Sequence, residues 1–229
     1  MAKQVLGIVG FAGSGKDTIA DYLTNFHGFR RDSFASNLKD AAAAVFGWDR
    51  DLLEGRTKQS REWREQVDVW WSERLTMPGL TPRLVLQQWG TNCCREHYHD
   101  DLWIASLENK LRKSQDDIVI SDVRFPNEVK MIKSLGGQVI RVRRGPEPDW
   151  YATALRANLG SEIDGQRLKD YRVHISETAW IGTDFDLVLD NNGTIDELYS
   201  KLETIIVGPN EPTHFHYTVA QPHSYDTQS

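Results

Sequence analysis

The 229-residue chain has only two cysteines, and these are neighbours, Cys93 and Cys94. A tetrahedral zinc site needs a second ligand pair and a disulfide framework needs further cysteines, so neither is expected. Reduced thiols in a cytosolic protein are. His97 and His99 follow closely, but their spacing matches no usual zinc set. Basic charge is also short: 27 Lys and Arg stand against 33 Asp and Glu, a net charge of −6 with a pI near 5.6. Binding to a polynucleotide rests on neutralising its phosphates with a basic face, so no stable nucleic-acid partner is expected, whereas a small anion in a local basic pocket is compatible. No apolar run reaches bilayer length and no signal-peptide core appears, so the expectation is a soluble cytoplasmic protein without a membrane partner. Internal repeats, low-complexity segments and a Ser-His-Asp hydrolase elbow are missing too.

What is present is concentrated near the start. Residues Gly10 to Thr18 read Gly-Phe-Ala-Gly-Ser-Gly-Lys-Asp-Thr and directly follow the apolar run Val5 to Val9. Glycines let successive backbone N–H groups turn inward around an anion, the next helix presents its positive end, and Lys16 adds a mobile charge for β and γ phosphates. Ala12, Gly13, Ser14, Gly15, Lys16, Asp17 and Thr18 are therefore the candidate ATP-phosphate residues. The usual pattern has Ser or Thr directly after the lysine to ligate Mg²⁺. Here Asp17 stands there and Thr18 comes one place later, so both are candidate metal ligands. By itself the loop leaves ATPase, GTPase, kinase and motor open.

Periodicity predicts strands at Val5 to Val9, Phe29 to Ala35, Ile118 to Ile120, Val139 to Val142 and Phe185 to Leu189. Between them it predicts helices from Lys16 to His27, from an N-cap at Ser36 to Phe46, and from Ser60 to Leu75. Further helices are read at Arg83 to Tyr98, Asp100 to Lys113, Pro126 to Leu135 and Ile195 to Ile206. Trp48 to Gly55 reads as irregular, and Trp63, Val67, Trp70 and Trp71 as a packing stripe. Strands alternating with helices imply an α/β fold with a parallel sheet of about five strands, helices on both faces and helical insertions. One domain over residues 1–207 is expected, with an acceptor-binding helical insertion over about 36–114. Residues 145–172 read as either a lid or a solvated loop around a short helix at Trp150 to Asn158. Residues 208–229 read as a tail, in which Phe215 to Val219 is a candidate edge strand.

Ligands of such a sheet gather at the carboxyl ends of its strands. After Ile118 to Ser121 come Asp122, Arg124 and Glu128: an acid able to handle Mg²⁺ or its water shell, and an arginine able to fork onto phosphate oxygens. Arg143 follows the next strand and is a candidate for the ATP phosphates. Lys39 opens the insertion, and Arg83, Gln87 and Thr91 recur every four residues, on one helical face, where an arginine, an amide and a hydroxyl suit a nucleotide's phosphate and base edge. His174, beside Ser176 and Glu177, reads as structural, since phosphoryl transfer needs positioning and charge more than proton abstraction.

Taken in order, Gly15-Lys16-Asp17-Thr18, Phe34-Ala35 with Leu38-Lys39-Asp40, Arg83 through Gln87 to Gly90-Thr91, Asp122-Val123-Arg124 with Glu128, Gly136 with Val139-Ile140, and His174-Ile175-Ser176-Glu177 with Asp186 to Val188 and Asn192-Gly193 resemble the deoxynucleoside monophosphate kinases of tailed bacteriophages. The resemblance spans residues from about 5 to 206, and Asp17 after the lysine is shared by that family. It implies a three-layer P-loop kinase fold of the nucleoside monophosphate kinase type, ATP as phosphoryl donor with Mg²⁺, a deoxynucleoside 5′-monophosphate as acceptor, and the cytoplasm of a host cell as the place of action. It implies Lys16 and the loop amides at ATP, and Lys39, Arg83, Gln87, Gly90 and Thr91 at the acceptor. By chemistry, Lys16, Asp122 and Arg124 are the catalytic candidates, Arg95 and Glu128 join the acceptor set, and Asp122 joins Asp17 and Thr18 as a metal candidate. The Trp63 to Trp71 segment matches no pattern of the family. A homodimer is left open. The rival readings are a P-loop kinase for a small metabolite or a modified base in DNA, and a non-catalytic ATP-binding regulatory module.

Overall fold

The computed structural model describes residues 4–207. The tail and its Phe215 to Val219 segment lie outside them. Five strands, β1 (Val5–Val9), β2 (Arg30–Asp32), β3 (Ile118–Ile120), β4 (Gln138–Arg143) and β5 (Leu187–Asp190), form one sheet of order β2-β3-β1-β4-β5. Every pairing is parallel, with Val5 opposite Ile118 and Gly7 opposite both Ile120 and Val139. Parallel strands need crossovers that cover both faces, which is why β1 is buried along its whole length. Val5, Val9, Ile118, Ile120 and Val139 share a core with Ile104, Leu107 and Leu111 of α7 (Leu102–Lys113) and with Val129 and Ile132 of α8 (Pro126–Ser134). Gly7 faces Ile132 so closely that a Cβ would stand 2.5 Å from its Cδ1. Helix α1 (Lys16–Phe26) follows β1 and packs near β2 and β3, burying Ile19, Ala20 and Leu23.

The segment between β2 and β3 is helical throughout, with more breaks than its pattern suggests. Helix α2 (Ser36–Phe46) has Ala35, not Ser36, at its N-cap and ends at Gly47. The stretch read as irregular contains α3 (Arg50–Glu54), capped by the Asp49 carboxylate. The expected single helix over Ser60 to Leu75 is two, α4 (Lys58–Arg64) and α5 (Val69–Arg74). Asp68 causes the break: it caps α5 by accepting from Trp71 N, and it accepts from Trp48 Nε1 at 2.8 Å. Trp63 and Trp71 pack on a second core of Ala42, Trp48, Leu53, Leu80 and Val85, as the stripe predicts, but Val67 and Trp70 are exposed.

The next expected helix is α6 (Pro82–Gln87) running into a π-helix, Gln88–Arg95. Gly90 weakens that helix from within, its carbonyl accepts from Trp103 Nε1 at 3.0 Å, and it is buried against Leu38. Arg83 and Gln87 lie on α6, and Thr91 on the π-helix that follows. Residues 145–172 are not an irregular loop: α9 (Tyr151–Asn158) and α10 (Glu162–Asp170) pack on each other as a hairpin. The chain then makes α11 (Ile175–Thr178) before β5. Strands β2 and β5 are shorter than predicted. One compact unit ends at Asn192 and a second begins at Gly193, containing α12 (Ile195–Val207). No helix of the described residues is long and apolar enough to cross a membrane.

Candidate active site

The loop between β1 and α1 is held in shape before any ligand arrives. Ser14 N donates to Phe11 O at 3.2 Å, and Asn191, at the end of β5, donates its Nδ2 to Ser14 O at 2.8 Å. Gly15 caps α1 with φ 105°, a conformation that disfavours any side chain. Phe11 fixes the loop from the other side, meeting Trp180 edge-on at 4.9 Å and Trp150 at 5.4 Å between ring centroids. Lys16 folds back and donates Nζ to Gly10 O and Phe11 O, both at 2.7 Å. Burial, and then the positive charge of Arg124, hold its pKa below the usual lysine value. Ser14 Oγ is buried without a hydrogen-bond partner among the described residues. A preshaped loop with an orphaned hydroxyl and a cation satisfied only by carbonyls is suited to an anion.

Asp17 is exposed and makes an ion pair with Arg31 of β2. The same guanidinium reaches Asp21 at 3.0 Å and Ser121 Oγ at 2.7 Å. Sequence reasoning passed over Arg31. Asp17 and Asp21, four apart on α1, were the available signal, an acidic pair seeking a cation from the adjoining strand. Thr18 is half-buried in the first turn of α1.

Asp122 leaves β3 and accepts from Phe34 N at 3.2 Å and Ala35 N at 3.3 Å, tying the start of the insertion to the sheet. Burial raises its pKa, against the opposing pull of Lys39. Arg124 pairs with Glu177 of α11 and lies 3.4 Å from Ser176 Oγ. His174 caps α11 by accepting from Ser176 N at 3.2 Å, the structural role expected of it. Glu128 is buried and accepts from Arg124 N at 2.7 Å and Phe125 N at 3.0 Å, so it shapes the turn that carries Arg124. Arg95 lies over the Phe125 ring, 3.8 Å from Glu128 Oε1 and 3.0 Å from Asp100.

Burial and the charge of Asp122 push the Glu128 carboxyl up to about 8, from an ordinary 4.5. Its neutral form is favoured by folding, so this group's contribution to stability is complete below about pH 4.5 and is lost as pH rises through 8. Glu128→Gln keeps an oxygen for the two backbone donors. Its melting temperature is expected to match wild type at pH 5 and exceed it at pH 9; melts showing equal pH dependence would contradict the assignment.

In the insertion, Lys39 is buried and donates to Glu54 at 2.9 Å. Burial would raise the Glu54 carboxyl, but Lys39 and Arg50 overcome it and hold it at about 2. Arg83 is exposed and pairs with Glu65 at 2.7 Å; Gln87 is exposed and Thr91 half-buried. Arg143 pairs with Asp190 at 3.0 Å, at the ends of β4 and β5. Arg124 acts electrostatically on both Lys16 and Asp122, and Lys39 acts on Asp122. Glu128 and Arg95 are engaged with each other, and Arg95 also with Phe125 and Asp100.

A parallel α/β sheet whose central strand feeds a lysine-bearing phosphate loop, with an acid and an arginine at the adjacent strand end, defines a P-loop phosphotransferase. The chain is 32% identical over 212 residues to a protein of Acanthamoeba polyphaga mimivirus described as a deoxynucleotide monophosphate kinase, covering 86% of this chain and 93% of that one. It belongs to the deoxynucleotide monophosphate kinase family. The deoxynucleoside-5′-monophosphate kinase of Escherichia phage T5 is 28% identical, over 56% of this chain and 71% of its own. Among solved structures, shikimate kinase from Aquifex aeolicus superposes with a TM-score of 0.46 at 11% identity, covering 90% of this chain and 97% of that one. No protein-family model matches.

Proposed function

We propose that the protein transfers the γ-phosphoryl group of ATP to the 5′-phosphate of a deoxynucleoside monophosphate, giving ADP and a deoxynucleoside diphosphate. The observation that carries this reading is a chain of charges: Arg124 acts on both Lys16 of the phosphate loop and Asp122, and Lys39 of the helical insertion acts on Asp122. Donor and acceptor are both polyanions, so the site must supply positive charge between them and hold them in line. Backbone amides of residues 12–18 and Lys16 take the ATP phosphates, Lys16 exchanging its two carbonyl partners for phosphate oxygens. Arg124 is set to bridge the transferring group, and Arg143 stands at the ATP side. Lys39, Arg83, Gln87, Gly90, Thr91 and Arg95 belong to the acceptor side, with Glu128 supporting the turn at Arg124. The acceptor phosphate is already ionised, so no strong base is required.

The donors near the loop fit Mg²⁺ bound chiefly by nucleotide phosphates and water, because no group of three His, Cys, Asp or Glu suited to a metal occurs among the described residues. The Thr18 hydroxyl would hold it, with Asp17 and Asp122 toward its water shell; the ion offsets charge on the β and γ oxygens. The hairpin of α9 and α10 serves as the lid that excludes water. The test is a panel of every deoxynucleoside and ribonucleoside monophosphate with ATP and Mg²⁺, beside an oligonucleotide, following diphosphate formation. At least one deoxynucleoside monophosphate should be converted and the oligonucleotide left unlabelled; failure of every monophosphate would overturn the reading.

A further inference from the structure

Around the acceptor side, cations rest on carboxylates. Lys39 and Arg50 hold Glu54, Arg83 holds Glu65, Arg95 holds Asp100 and Arg124 holds Glu177. Arg64, the last residue of α4, breaks the pattern. It is partly buried, it has no ion-pair partner within 4.0 Å among the described residues, and its Nε is buried without a hydrogen-bond partner. Its guanidinium presses on Gly55: a Cβ there would stand 2.1 Å from Cζ and 2.1 Å from Nη2. Gly55 ends α3 with φ 69°, so a single glycine both closes that helix and leaves room for the guanidinium. Burial, and then the charge of Arg83, lower the Arg64 pKa, while Glu65 and Glu54 raise it. Glu54 is also the partner of Lys39, whose charge reaches Asp122 at the end of β3.

We propose that Arg64, which the sequence reading did not single out, is the guanidinium that receives the phosphate of the acceptor nucleotide, in preference to the exposed and already paired Arg83. A planar fork held against backbone, with an unmet N–H and cationic neighbours, matches a phosphomonoester dianion. Lys39 closes on the same dianion from the Glu54 side. This inference rests on the kinase reading above, and its test separates the two.

The full chain, free of ATP, is titrated calorimetrically with the monophosphate that serves as acceptor and with inorganic phosphate as a minimal probe, and then separately with ATP. Arg64→Gln is expected to weaken monophosphate binding at least about tenfold, the loss of a charge-assisted hydrogen bond, and to remove competition by inorganic phosphate. ATP binding should stay within about twofold. Arg64→Lys, which keeps the charge without the fork, should remain weakened, and Arg83→Gln should weaken monophosphate binding less than Arg64→Gln does. Thermal melts of both Arg64 variants show that they are folded. Monophosphate binding unchanged in folded Arg64→Gln, or lost only in Arg83→Gln, would refute the role of Arg64 and leave the kinase reading intact. Wild-type protein that binds ATP but no nucleoside monophosphate would refute both.

Discussion

Replacing Lys16 by Ala is expected to lower turnover by about 10² to 10³, the range for removing one preorganised electrostatic group from a transferring centre. The fold should survive. The Lys16 ammonium bonds only loop carbonyls, Gly10 O and Phe11 O, among the described residues, and the loop keeps its bonds from Ser14 N and Asn191. The loss falls on transfer because the lysine is the cation that the loop itself carries, with Arg124 near enough for its charge to depress the lysine pKa. Steady-state rates beside a melting curve check this; wild-type turnover in a folded Lys16→Ala would remove the loop from the mechanism.

Gly15→Ala is expected to be nearly as damaging, for a different reason. At φ 105° an added Cβ is strained wherever it points, at a cost of about 1 to 3 kcal/mol. It would also stand 2.4 Å from Asn191 Nδ2, the atom that holds Ser14 O. The strain and the lost clamp act on the same peptide groups that face the phosphates, so affinity for ATP should fall at least about tenfold together with a loss of several degrees in melting temperature. Adding Asn191→Gly should recover part of the stability by removing the collision but not the backbone strain. Full recovery, or no loss in the single variant, would contradict this account of the loop.

The strands and the phosphate loop were legible because their signals are short in range: five apolar residues, then glycines and a lysine at fixed spacing. Lys16 was legible from the loop motif, and Asp122 and Arg124 from their place after a strand; Arg124 acts electrostatically on both of the others. What escaped lies in contacts between distant segments. Asn191 and Ser14 are 177 residues apart, and nothing local to either marks the bond. Arg31 sits in a three-residue strand and acts through α1 and β3. Arg64 looked like one charge on a long helix because the break at Asp68 depends on Trp48, 20 positions earlier. The stripe from Arg83 to Thr91 crosses from α6 into a π-helix whose Gly90 carbonyl is held by Trp103, a tertiary feature that no periodic pattern announces. Asp17, which breaks the loop pattern, is engaged by Arg31, so its carboxylate is positioned by the sheet as well as by the loop.

The most direct measurement is a single-turnover reaction, with ATP labelled at its γ-phosphorus, Mg²⁺, excess enzyme and the preferred deoxynucleoside monophosphate, in which the position of the label is followed in time. The label should appear in the β-phosphate of a deoxynucleoside diphosphate as ATP becomes ADP, and depend on the monophosphate. Label released as inorganic phosphate regardless of acceptor, or no ADP formed with any monophosphate, would contradict the assignment of these strand ends as the centre of phosphoryl transfer.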